Sequence, residues 1–88
     1  MDKISQFKQI SKENAELYAR KNEDYCDSFG ETYRECGIES AVTRLQDKMN
    51  RAKQLAKNPA KVKDESMIDT LRDLSNYAIM TIIEIQNS

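Results

Sequence analysis

Residues 64–77 read DESMIDTLRDLSNY, and both the fold and the chemistry of the chain turn on this stretch. Glu65, Asp69 and Asp73 recur every fourth residue in a segment of helix-forming composition. At 3.6 residues per turn that spacing stacks the three carboxylates within an arc of about 80°. Like charges at i,i+4 destabilise an isolated helix by about 0.2–0.5 kcal/mol per pair. Such a row is tolerated when it is solvated and useful when a cation sits against it.

The rest of the segment bears on that choice. With Glu65 at 0° and about 100° per residue, Met67, Ile68, Leu71, Leu74, Ala78, Ile82 and Ile85 centre near 240°, opposite the acids. Taken alone, this reads as a solvated acidic face. Ile79, Met80 and Ile83, however, continue the acidic line towards the C-terminus. A helix apolar on nearly all sides is covered on nearly all sides. The acidic row therefore runs into a face covered by another helix or a second subunit. Arginine or lysine pairing is one way to neutralise it, and a hard cation held by carboxylate oxygens is the other.

Working outward, the spacing predicts a last helix from about Asp64 to Gln86, opened by the acidic pair Asp64-Glu65 at its positive end. Lys61-Val62-Lys63 reads as a short linker, and Asn58-Pro59 ends the preceding helix, because proline disfavours helical geometry in the residue before it. That helix runs from about Glu39 to Lys57 on an apolar stripe of Ala41, Val42, Leu45, Met49, Ala52 and Ala56. A short helix over Glu31–Cys36 stops at Gly37, a natural C′ residue. The first helix runs from about Asp2 to Lys21, with Ile4, Phe7, Ile10, Leu17 and Tyr18 at helical spacing. Between them KNEDYCDSFG supplies capping and turn residues. Two glycines and one proline leave little room for β-turns. The expectation is an all-α fold: one domain over residues 1–88, a small antiparallel bundle of three main helices plus one short helix.

Composition narrows the function. At 88 residues only about 60–65% of the unfolded surface is buried on folding, and no Trp, two Phe and four Tyr make a thin core. Completion by oligomerisation, as a dimer or higher, is expected. Basic and acidic residues nearly balance, 14 against 15, which argues against a duplex nucleic-acid binder. Few aromatics disfavour a single-stranded one. Cys26 and Cys36 make no disulfide framework and have no metal-ligand spacing, and a zinc site would lack histidine altogether. MDKISQFKQI is too polar for a signal peptide, and no run approaches the ~20 apolar residues of a membrane span. A soluble, cytoplasmic protein with no membrane association is expected.

A basic strip could meet the acidic row. Arg44, Lys48 and Arg51 lie within an arc of about 60° on the third helix. They either cover the core edge while pairing with Glu65, Asp69 or Asp73, or clamp a phosphate. Both readings make the strip and the acidic row neighbours. Asp47 lies away from the apolar stripe and reads as solvated.

Several blocks carry a resemblance: Lys21, Asp24-Tyr25 and Phe29; Arg44-Leu45 with Lys48 and Arg51; Asp64-Glu65, Asp69, Asp73-Leu74 and Asn76-Tyr77. Over roughly Lys21 to Glu84 the chain resembles the phage and bacterial nucleotide-modification-associated domain family, type one. That family looks like a relative of the all-α, MazG-like nucleoside triphosphate pyrophosphohydrolases. The resemblance implies acidic residues on two helices holding magnesium (Mg2+, or Mn2+ in its place). It also implies attack by water between the α and β phosphates of a canonical or modified nucleotide. It carries the ligand role to Asp69 and Asp73, with Glu65 as a third ligand and the candidate general base. Lys48 and Arg51 become phosphate contacts. Lys21, Asp24, Tyr25, Asn76 and Tyr77 become substrate-binding candidates, against the plainer reading of Lys21, Asp24 and Tyr25 as a capped helix end. One departure stands out. Where the MazG-like pattern has a Glu-Glu-x-x-Glu cluster, this chain has Asp47-Lys48-Met49-Asn50-Arg51, and lysine and arginine are not Mg2+ ligands. Two functions follow: a metal-dependent pyrophosphohydrolase or nucleotide-binding relative, or a non-enzymatic helical module that self-associates or binds a partner protein.

Overall fold

The structure, a computed structural model, describes residues 2–58 and 64–88, with the side chains of Tyr25, Asp64 and Glu65 outside the described set. Four helices follow one another: α1 Lys3–Tyr25, α2 Ser28–Cys36, α3 Ile38–Lys57 and α4 Asp64–Asn87. The all-α expectation holds, and the described residues form three long helices and one short one. The Lys61-Val62-Lys63 linker and Pro59 lie outside the described residues.

Boundaries differ where capping chemistry overrides pattern. The α1 helix continues past Lys21 through Tyr25 and is broken at Cys26, whose φ of 56° no helix accommodates. Asp27 then caps α2, its carboxylate accepting from the Gly30 N–H at 3.3 Å, so this helix begins at Ser28 rather than Glu31. Gly37 ends it as expected, donating its N–H to the Tyr33 carbonyl at 2.7 Å. At φ 79° and ψ −171° it occupies a region that is essentially glycine-only. Asp2 caps α1 by accepting from Ser5, whose backbone N–H holds the carboxyl below its ordinary value.

The main packing is α3 antiparallel to α4, and its seam differs from the one the wheels gave. On α3 the line is Ala41, Leu45, Lys48, Ala52 and Leu55, of which Ala41 and Leu55 are buried; Val42 and Met49, expected inside, are about half exposed. On α4 it is Thr70, Leu74, Tyr77, Thr81 and Glu84. Both lines follow the alternating three- and four-residue steps of a helix–helix seam. Thr70 and Thr81 enter it without cost because each hydroxyl donates to the carbonyl one turn back, at 2.8 and 2.7 Å. Of the supposed main stripe of α4, Leu74 enters the seam, whereas Ile68, Leu71, Ile82 and Ile85 face outward, 53%, 48%, 53% and 49% exposed.

Contact between α1 and α4 is largely polar. Asn14 donates to Ser75 Oγ at 2.9 Å, Asn76 donates to the Asn14 carbonyl at 3.4 Å, and Arg72 pairs with Glu13 at 3.5 Å. The N-terminal half of α1 leaves Ile4, Phe7 and Ile10 at 71%, 74% and 51% exposed. Buried apolar residues reduce to Phe29, Ala41 and Leu55 among the described residues. No described helix is long and apolar enough to cross a membrane.

Candidate functional site

Four helices converge on one cavity of about 390 Å³, lined from the C-terminal half of α1, the start of α2, Arg44 of α3 and the middle of α4. Breaking α1 at Cys26 and restarting at Ser28 drives Phe29 inward, where it is 8% exposed and stacks on Tyr77, centroids 5.9 Å apart and planes at 13°. Arg44 lies over the same tyrosine, 5.6 Å from the ring centroid, and donates to its hydroxyl at 3.3 Å. Tyr18, Phe29, Tyr77 and Met80 thus make an apolar wall.

Charged side chains border the same cavity. Asp73 sits between two lysines, with Lys48 Nζ at 3.1 Å from one carboxylate oxygen and Lys21 Nζ at 3.7 Å from the other. Its side chain is 27% exposed, so this ion pair is screened less than a surface one. Lys21 and Lys48 thus converge on this one carboxylate, while Arg44 is held one turn away on Tyr77. The other acid in the lining, Asp27, is engaged by Arg34 at 3.6 Å.

The residues singled out from sequence divide as follows. Lys21, Asp73, Asn76 and Tyr77 line the cavity, and Lys48, outside the lining, touches it through Asp73. Asp24, Arg51 and Asp69 are exposed and form no ion pair among the described side chains. Tyr25 and Glu65 have side chains outside the described residues. The acidic row is therefore split: Asp73 faces the bundle, whereas Asp69, one turn earlier, faces out. Asp47 is exposed, as its position off the stripe implied. Tyr18, Asn22 and Phe29 belong to the lining without having been chosen as site residues, and Arg44 enters it from the basic strip. Tyr18 lies three residues before Lys21 on one face of α1, the spacing that would have found it.

The same geometry tests the metal. Among the described residues no group of three acidic or thiol side chains comes together to hold a metal ion. Both Asp73 oxygens face ammonium groups and Asp69 is exposed, so these two carboxylates do not converge on one ion; Glu65, the third expected ligand, has its side chain outside the described residues.

Beside the main cavity lies a second of about 160 Å³, sharing Tyr18, Asn76 and Met80 with it and bordered by Asn14. The Asn14 amide is fixed in orientation. Ser75 Oγ gives its only proton to the Arg72 carbonyl at 2.8 Å, so it accepts from Asn14 Nδ2. Asn14 Oδ1 is left buried without a partner.

Comparison with known proteins follows this geometry. A model of the family described as Nucleotide modification associated domain 1 matches residues 21–85. The chain belongs to that family. The match includes the cavity's contributions from α2, α3 and α4, and on α1 begins at Lys21, the outer of the two lysines on Asp73. No curated protein matches the chain, and no solved structure does. Membership in the Nucleotide modification associated domain 1 family associates the chain with nucleotide modification.

Proposed function

We propose that the cavity between α1, α2, α3 and α4 binds a nucleotide, with its phosphates at Lys21, Arg44 and Lys48 and its base and sugar against the aromatic wall. The observation that carries this reading is that one cavity is lined by both cationic side chains, Lys21 and Arg44, and aromatic ones, Tyr18, Phe29 and Tyr77, with Lys48 reaching it through Asp73. A ligand matching both walls has an anionic end and a flat apolar end, and a nucleotide is that kind of molecule. Arginine and lysine bind phosphoryl oxygens through charge-assisted hydrogen bonds, roughly twice as strong as neutral ones. Asp73 acts as a placeholder: it keeps two ammonium groups together in the empty cavity and yields them to the phosphates on binding. The family's association with nucleotide modification supports the same ligand class.

Cleavage between the α and β phosphates is implied by the MazG-like resemblance, and no catalytic step is derived for it from these side chains. Binding and cleavage separate in one experiment. Titration calorimetry with canonical and modified dNTPs, dNMPs and nucleosides is expected to show binding that strengthens with phosphate number. Pyrophosphate release is assayed on the same samples with Mg2+ present. An absence of binding by every nucleotide at millimolar concentration would overturn the proposal.

A further inference from the structure

The outward face of α4 is the largest feature the nucleotide cavity does not use. Along it, Ile68, Leu71, Ser75, Ala78, Ile82 and Ile85 follow one another at alternating steps of three and four residues, and none is charged. The four large members are each about half exposed. Steps of this kind keep one line of side chains in register with a facing helix.

The surface area says how much is missing. The chain exposes 6908 Å². A folded monomer of 10.2 kDa exposes about 5,300 Å², so the excess is about 1,600 Å². Part of that excess belongs to the open N-terminal half of α1, with Ile4, Phe7 and Ile10 exposed; two copies each covering about half of it along α4 would bury about 1,600 Å² in total, the size of a standard stable interface. The radius of gyration agrees: 14.4 Å, against about 12 Å for a compact domain of 88 residues.

The pattern of sizes names the occupant. Read from either end, the line runs large, large, small, small, large, large, about a midpoint between Ser75 and Ala78. A two-fold axis through that midpoint, perpendicular to α4, places Ile68 opposite Ile85 of a second copy and Leu71 opposite Ile82. Ser75 and Ala78 then meet at the centre, where small side chains let the helices approach closely. An isologous contact requires a surface that is its own complement, and this line is one.

We infer that the outer face of α4 is the seam of a homodimer, packed antiparallel on the same face of a second copy about an axis between Ser75 and Ala78. The inference is independent of the nucleotide reading, since none of these six residues lines the main cavity.

Light scattering on the full chain is expected to give twice 10.2 kDa, with a melting midpoint that rises with protein concentration. A 10.2 kDa species at about 100 μM, melting independently of concentration, overturns the inference; both readouts use unaltered protein, so no variant has to fold. Register is tested by charge pairing across the axis. Leu71→Glu and Ile82→Lys are each expected to weaken association about 30-fold or more, and the double variant to recover part of it. Two lesions without mutual rescue, or a dimer indifferent to both, overturn the seam. Val42→Glu, on the exposed face of α3, is expected to leave the dimer intact, and loss of association there instead moves the interface and overturns the assignment.

Discussion

Lys48 on α3 and Asp73 on α4 meet at 3.1 Å in the middle of the bundle's principal helix pair, and Lys21 of α1 closes on the same carboxylate at 3.7 Å. One acid thereby ties three helices together and sets the charge of the cavity beside it. Asp69, four residues earlier on the same helix, has no such role.

Asp73→Asn and Asp69→Asn should therefore behave oppositely. The first removes the charge holding Lys21 and Lys48 together and is expected to cost about 0.5–1 kcal/mol. For a domain this size that is a drop of a few degrees, about 4–8 °C per kcal/mol, shrinking as salt is added. The second is expected to stay within about 0.5 kcal/mol of the parent. Calorimetric melts of both at low and high salt check this, and a stabilised Asp73→Asn would show an unrelieved acidic cluster instead.

Lys21→Met and Arg44→Met should each weaken nucleotide triphosphate binding about tenfold, the loss of one charge-assisted contact worth about 1.5 kcal/mol. Binding of the uncharged nucleoside should change far less. Titrations against both ligands separate a phosphate contact from a general loss of structure.

Phe29→Ala should cost about 3–5 kcal/mol, because Phe29 is one of the few buried apolar side chains and its ring supports Tyr77. Against a total of about 5–15 kcal/mol this removes a large share of the stability. Phe29→Leu, which keeps most of the volume, should cost far less. Chemical denaturation of the pair reads the difference.

Two substitutions at the ends of α2 should have opposite signs. Gly37→Ala forces a side chain into a backbone region open only to glycine and is expected to destabilise by about 1–3 kcal/mol, although nothing crowds the added methyl. Cys26 already carries a side chain at φ 56° and ψ −155°. Cys26→Gly should relieve that strain and raise the melting midpoint, the relief exceeding the ~0.5–1 kcal/mol entropic penalty of a glycine. Thermal melts under reducing conditions measure both.

Helix content was legible in the sequence because it rests on local quantities. Gly37 as a stop needed no distant partner, and the structure keeps it; of the α3 stripe it keeps Ala41, Leu45 and Ala52 inward and leaves Val42 and Met49 half exposed. The start of α2 was missed because Asp27 as a cap outranks the apolar pattern that begins later. Lys48 and Asp73 were foreseen as neighbours from helical spacing. Arg51 and Asp69 share that spacing and point elsewhere, since an arc of some 60–80° on a wheel spans both the packed and the open side of a helix.

What the amino-acid order settled on its own was the type of the elements and the approximate course of each helix, since propensity, capping and periodicity act within a few residues. Which face of α4 turns inward was decided only in three dimensions. Tyr77 stacks on Phe29 while Asp73 found two lysines, so the polar-flanked side went inside and the isoleucine line was left outside. A helical wheel ranks faces by apolarity alone. The tertiary structure ranks them by the sum of packing and charge pairing with the helices that arrive beside them.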